Sequence, residues 1–249
     1  MVANELITEA VARGARMVVL PEYFALMSSD ETAKVRTCEH EGRGPVQDFL
    51  AQTAARHGIW IVGGTLPLAA NTPDKTRNAT LVFDDHGNQV ARYDKIHLFG
   101  FDKGEEQYDE AASIEPGARV VCFDSPAGRV GLAVCYDLRF PELFRAMGKV
   151  DLIVLPAAFT HTTGQAHWET LLRTRAIENQ CYLAAAAQGG FHQNGRRTWG
   201  HSMIVDPWGD ILACRPEGAG VVMAELDPEW IATVRGCLPA LNHRRPELF

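Results

Sequence analysis

Three short stretches, FDDHGN at 83–88, FDSPAGR at 123–129 and VDPWGD at 205–210, each place an acidic turn with glycine between two β-like runs. A turn of this kind reverses the chain within a few residues, so each predicts an antiparallel strand pair. Other apolar runs, at 17–20, 59–65, 130–134, 151–155 and 181–187, show no polar alternation and read as strands covered on both faces. Helix candidates lie between them, at 3–13, 45–57, 141–148, 165–179 and 228–235. Gly14 closes the first, and Pro45 suits the first turn of the second. Mixed sheets with helices packed outside satisfy both strand types at once. No linker, repeat or low-complexity stretch interrupts the pattern, so residues 1–249 read as one α/β domain.

Composition narrows the function classes. The chain carries 24 Lys+Arg against 31 Asp+Glu, a net charge of −7, with no basic block that could track phosphates, so no nucleic acid is expected as partner. Six cysteines, at 38, 122, 135, 181, 214 and 237, show no C-x-x-C and no regular spacing. That argues against a disulfide framework or zinc ribbon and for a reducing compartment. The start, MVANELITEAVARGARMVVLPE, has acidic residues in its first ten and no long apolar run, so neither a signal peptide nor a membrane anchor is expected. A cytoplasmic protein that does not engage the membrane is the expectation. An amphipathic helix begins almost at Met1, where α/β chains usually open with a strand.

The segment GRVGLAVCYDLRFPELFR, 128–145, carries the most chemistry. Its β run delivers Cys135 to a strand end, and Pro141 with Glu142 opens a helix shortly after. A nucleophile on such a turn is exposed to free backbone N–H groups and to the positive end of a helix, which together would lower the thiol pKa and hold an oxyanion. The other five cysteines read as small buried hydrophobes. Glu22 follows the strand MVVL, and Lys95 follows the strand of the first hairpin, so a base and a cation also emerge at strand ends, where sites of α/β sheets collect. Either group alone is more often a solvated charge; the three together make the case.

VVLPE ending in Glu22, RYDKIHLF carrying Lys95 and GLAVCYDLRFPEL carrying Cys135 resemble, in order and spacing, the three signature segments of the nitrilase superfamily of carbon–nitrogen hydrolases. The resemblance continues through LPAAFTHTTGQAHWETLLRTRAIENQCYLAAAA and GHSMIVDPWGD to LPALNHRRPELF, and within the superfamily it is strongest to the Nit branch. It implies a four-layer α-β-β-α sandwich of two mixed sheets with outer helices, paired into a homodimer or a higher homo-oligomer. It also implies an amidase that needs no cofactor or metal and acts on a small carboxylate-bearing amide of the deaminated glutathione kind through a thioester. ω-Amidase activity on α-ketoglutaramate is the neighbouring alternative. In that family's roles Glu22 is the general base, and Lys95 with the backbone N–H of Tyr136 stabilises the oxyanion. Glu110 in YDEAASIEPG matches the second active-site glutamate, which holds the lysine; Glu105 and Glu106 compete for that role but read as a solvated acidic loop. Members of the family normally place a strand before the first helix, and this sequence is expected to lack it.

An anionic substrate of a −7 chain needs local cations. Arg139, just past the nucleophile, and Arg173 are candidates, whereas Arg175 reads as a structural partner of a nearby acid. Phe159 and Thr160 are expected to line the pocket, with Phe159 as core the competing reading. Two further functions stay open. Among nine histidines, His97, His161, His167 and His201 lie near strand or helix ends, which allows a Cys–His hydrolase. A catalytically inactive scaffold on the same fold is the other, although all three catalytic residue types are present.

Overall fold

Each of the three acidic turns joins an antiparallel pair, and the helices pack outside the sheets these pairs build. The computed structural model describes residues 2–28, 30–104 and 106–248. The first half contains α1 (Val2–Ala12), β1 (Met17–Val19), α2 (Glu31–Arg36), α3 (Pro45–His57), β2 (Trp60–Val62), β3 (Leu66–Ala69), β4 (Thr76–Phe83), β5 (Gln89–Asp94), β6 (Gly100–Lys103) and β7 (Glu106–Asp109). The middle holds β8 (Cys122–Ser125), β9 (Gly128–Leu132), α4 (Pro141–Ala146), β10 (Leu152–Ala157), α5 (His161–Asn179) and β11 (Tyr182–Ala187). The chain closes with β12 (Gly189–Phe191), β13 (Arg197–Trp199), β14 (Ser202–Val205), β15 (Ile211–Arg215) and α6 (Pro228–Cys237).

Two mixed sheets result. In the five-stranded sheet β1 runs parallel to β2, and β4 pairs antiparallel with β2, β3 and β5. The six-stranded sheet has the order β15-β14-β11-β10-β9-β8, parallel at its centre, where β10 pairs with β9 and β11, and antiparallel at both ends. Residues of adjacent positions go to different sides: Ile61 and Leu81 pack with Ile7, Leu50 and Ala54 of the helices, whereas Val62 and Val82 pack with Val130, Leu132 and Val154 of the other sheet. This period of two places one core between the sheets and a second under α1 and α3. Trp168, Leu172 and Ala176 of α5 cover the far face of the six-stranded sheet. Two small hairpins, β6-β7 and β12-β13, stand outside both sheets.

Several predicted boundaries move for physical reasons. The run at 59–65 forms a strand only over Trp60–Val62, because the chain turns at Gly64, whose φ is +54°. An added Cβ there would lie 2.2 Å from the Pro21 carbonyl oxygen, so only glycine lets this turn approach the segment that carries Glu22. The run at 130–134 is paired as β9 only to Leu132, and Val134 remains extended but leads into the turn at Cys135. Helix α5 begins at His161, ahead of the predicted start. Strands β6, β7, β12 and β13 and helix α2 fall where no periodicity announced them. Among the described strands β1 is an edge of its sheet. No helix among the described residues is long and apolar enough to cross a membrane.

Candidate active site

Glu22, Lys95 and Cys135 leave the ends of β1, β5 and β9, and the packing of the two sheets brings those ends together. Lys95 is completely enclosed, and its Nζ lies 2.9 Å from Glu22 Oε1 and 2.8 Å from Glu110 Oε2. Glu22 Oε1 also accepts from Asn78 Nδ2 at 2.9 Å, and its Oε2 from the Ala158 backbone N–H at 2.9 Å. The same Ala158 N–H favours the ionised form of the Cys135 thiol, so one donor serves carboxylate and thiol. Glu110 is fixed by three groups: Lys95, the Tyr23 hydroxyl at 2.7 Å and the Phe99 N–H at 2.8 Å. Glu105 lies outside the described residues, as does the side chain of Glu106.

Local backbone geometry explains how the side chains are aimed. Cys135 has φ +47° and Tyr23, which follows Glu22, has φ +59°, both in the left-handed region that side chains other than glycine seldom adopt. Such conformations cost on the order of 1–3 kcal/mol each and persist where surrounding bonds hold them. Tyr23 is held through its N–H to Thr65 Oγ1 at 2.9 Å. Cys135 opens a short 3-10 turn, Cys135–Arg139, held by Asp137. That carboxylate is fully buried and accepts from the Val134 N–H at 2.8 Å, the Tyr93 hydroxyl at 2.7 Å and the His97 N–H at 3.1 Å, and His97 Nδ1 is 2.7 Å away. From the other side Arg175 donates Nε and Nη2 to the Leu138 carbonyl at 3.0 and 2.9 Å, and it pairs with Glu178 at 2.8 Å. The first turn of this element leaves the Tyr136 N–H with no acceptor among the described residues, an available oxyanion donor.

Charge states follow from burial and partners. Burial alone would push the Lys95 ammonium down, but Glu110 and Glu22 outweigh it and hold the ammonium above its ordinary range. Burial likewise opposes ionisation of Glu110, yet Lys95, the Phe99 N–H and the Tyr23 hydroxyl keep it below the usual carboxylate range. The thiol corrects the sequence expectation. Burial, and after it Glu22, push Cys135 well above the ordinary cysteine value, and Lys95 lowers it only in part. The resting nucleophile is therefore a protonated thiol that needs a base, not a thiolate prepared by a helix end.

The remaining predicted residues divide. Arg139 lies over the rings of Phe159 and Tyr136, at 5.0 and 5.8 Å, with Nη1 3.3 Å from His167 Nδ1 and no carboxylate partner among the described residues. Phe159 is buried against Trp168 and so serves the core while carrying Arg139 on its ring. Thr160 is buried and its hydroxyl lies 2.7 Å from that of Thr163. Arg173 stands away from this cluster, with its Nε on the Gly209 carbonyl. The four histidines are occupied elsewhere: His97 with Asp137, stacked on Phe140, His167 with Arg139, and His161 and His201 on the Trp199 ring. The groups that act most strongly on the thiol are Glu22, Lys95, Glu110 and the Ala158 N–H, with no histidine among them, which disfavours a Cys–His pair. Among the described residues no cluster of three or more His, Cys, Asp or Glu could hold a metal ion.

Sequence reasoning missed Asp137, Tyr23 and Asn78. Asp137 offered one signal, a lone carboxylate inside the apolar run GLAVCYDLRF. Tyr23 and Asn78 offered none, because their use depends on which strand lies opposite.

A thiol, two carboxylates and an enclosed ammonium at the ends of two stacked sheets define a class of hydrolase. The chain belongs to the carbon–nitrogen hydrolase family, whose model matches residues 1–235, and it is a hydrolase of carbon–nitrogen bonds other than peptide bonds. It is 42% identical to the deaminated glutathione amidase of Yersinia enterocolitica, over 93% of this chain and 82% of that one. It is 39% identical to the human protein of the same name, over 98% of this chain and 77% of that one. Among solved structures it resembles the Caenorhabditis elegans NitFhit protein with a TM-score of 0.90 and 37% identity, covering all of this chain and 61% of that fusion chain. The Saccharomyces cerevisiae Nit3 structure, a member of branch 10 of the nitrilase superfamily, matches with a TM-score of 0.85 and 32% identity, over 95% and 86% of the two chains. The α-β-β-α sandwich expected from the sequence is the fold of the protein.

Proposed function

We propose that this hydrolase cleaves a small carboxylate-bearing amide, deaminated glutathione or a close analogue, through a thioester on Cys135. The observation that carries this reading is the Lys95 ammonium enclosed between Glu22 and Glu110 beside the thiol. In the proposed cycle Glu22 takes the thiol proton as sulfur attacks the amide carbonyl. The oxyanion is met by Lys95 and the Tyr136 N–H, which are in place before the charge forms and so cost no reorganisation. Glu22 then returns its proton to the departing amine, leaving a thioester. Water attacks that thioester, Glu22 accepts its proton, and the carboxylic acid leaves as the proton returns to sulfur. Glu110 keeps Lys95 aimed, and Arg139 binds a carboxylate of the acyl part, a task for which the planar guanidinium is suited. The names of the relatives support the choice of deaminated glutathione, and six free cysteines suit a cytoplasmic enzyme.

The test is a side-by-side measurement of kcat/KM for deaminated glutathione, α-ketoglutaramate and a simple nitrile. Deaminated glutathione is expected to lead. A preference for α-ketoglutaramate would make the enzyme an ω-amidase, and a preference for the nitrile would overturn the amidase reading.

A further inference from the structure

Beyond the catalytic cluster, Arg196 is a cation with a buried, unpartnered N–H. Arg196 sits in the turn between β12 and β13, its guanidinium 5.0 Å from the centre of the Tyr108 ring on β7. Its Nε is buried with no hydrogen-bond partner, and among the described residues no carboxylate forms an ion pair with it. A buried guanidinium N–H without an acceptor costs free energy unless a ligand supplies one. The turn is well anchored: the His192 N–H donates to the Arg196 carbonyl at 2.9 Å, and Asn194 Oδ1 accepts from the Arg196 N–H at 3.1 Å. Asn194 in turn donates to the Ser28 carbonyl at 3.2 Å, and the Trp199 N–H to the Phe159 carbonyl at 2.9 Å. The hairpin is thereby fastened to the segment that follows Glu22 and to the wall beside Arg139.

The charge of Arg196 reaches the reacting groups. Burial opposes its ionisation, but Tyr23, Glu22, Tyr108 and Cys135 all favour it. Arg139 interacts with Cys135 and Tyr136, while Glu22 is absent from its neighbours. The hairpin that carries Arg196 is tied through Asn194 to Ser28, six residues past Glu22, whereas Arg139 lies over Tyr136 and Phe159, so Arg196 is the arginine on the Glu22 side. In the proposed cycle Glu22 delivers the proton to the leaving amine, so the leaving group must occupy that side. We propose that Arg196 binds a carboxylate on the leaving amine, so that the site takes amides carrying one carboxylate on each side of the scissile bond, Arg139 holding the acyl one. This rests on the amidase reading above and adds the recognition of the departing half. It also answers the charge problem, since the enclosed cluster has two carboxylates and one ammonium and a dianion needs two further cations.

Two substrates separate the halves. Deaminated glutathione has a carboxylate on both sides of the bond, whereas α-ketoglutaramate has only the acyl one and releases ammonia. Arg196→Gln is expected to lower kcat/KM on deaminated glutathione by roughly 100-fold, chiefly through KM, and to lower that on α-ketoglutaramate far less, by at most about fivefold through the charge lost near Glu22 and Cys135. Arg139→Gln should lower both, and Arg196→Lys should restore part of the loss. Unmodified enzyme supplies a check that needs no variant: deaminated glutathione with its glycine carboxylate converted to an amide should lose a similar factor, and Arg196→Gln should not discriminate against it. Equal loss on both substrates, or none on either, overturns the role of Arg196 while leaving the amidase reading intact. An unmodified enzyme inactive on both amides overturns the two together.

Discussion

Glu110 makes its direct contact within the cluster to Lys95, whose ammonium it holds at 2.8 Å while Glu22 holds it at 2.9 Å. Replacing Glu110 by Gln would keep the shape but remove half of the charge that keeps the ammonium in place, so turnover is expected to fall by on the order of 100-fold. KM should change little, and single-turnover kinetics should show slower thioester formation. Glu105→Gln, in the same acidic loop, should stay within about twofold, and equal small effects from both substitutions would remove Glu110 from the site. At this scale Glu22, Lys95 and Cys135 could be read from the sequence because each follows a recognisable strand within three residues. Asp137, Tyr23 and Asn78 could not, since a carboxylate, a phenol and an amide have no meaning until the fold supplies their partners. The same limit misled the expectation for the thiol: burial, which decides its protonation, cannot be read from neighbours in the chain.

Among the elements, the hairpins were legible because turn chemistry is local, and β6-β7 and β12-β13 were not, because short strands outside a core carry no burial pattern. The turn at Gly64 shows how an element boundary serves the site. Gly64→Ala would combine a strained φ with a Cβ only 2.2 Å from the Pro21 carbonyl oxygen. A loss of about 2 kcal/mol or more is expected, because backbone on both sides must yield. The displaced segment bears Glu22, so activity should fall even at temperatures where the variant remains folded. Thermal melting and kcat/KM measured together would show this, and a variant that melts earlier but turns over normally would detach the turn from the position of the base.

For the whole molecule, the enclosed charges set the pH range of stability. The folded pKa of Glu110 is depressed, so its contribution is present above the unfolded value of about 4.3 and is lost as pH falls through the lower folded one. Lys95 has the opposite sign: its folded pKa is raised, so its contribution is full below an unfolded value of about 10.4 and is lost as pH rises beyond it. Cys135 adds to the alkaline loss from about pH 8.5, where the unfolded chain releases a thiol proton that the folded one retains. Unfolding free energy measured by denaturant titration should form a plateau between these limits, and Lys95→Met should lower the plateau and shrink the deficit as pH falls. A wild-type profile that declined through neutral pH would contradict this assignment of charges.

The shared N–H of Ala158 has a last consequence, concerning when the enzyme becomes an enzyme. Glu22 and Lys95 belong to one sheet, Cys135 and Ala158 to the other, and the Glu22–Ala158 bond joins residues 136 apart, more than half the chain. Contacts of such long sequence separation form late. A growing chain therefore carries its base, cation and thiol for a long stretch of synthesis as unrelated side chains, and a fragment that ends before Ala158 lacks the donor that holds the base. Catalytic competence arrives in one step, as the mark of a finished fold.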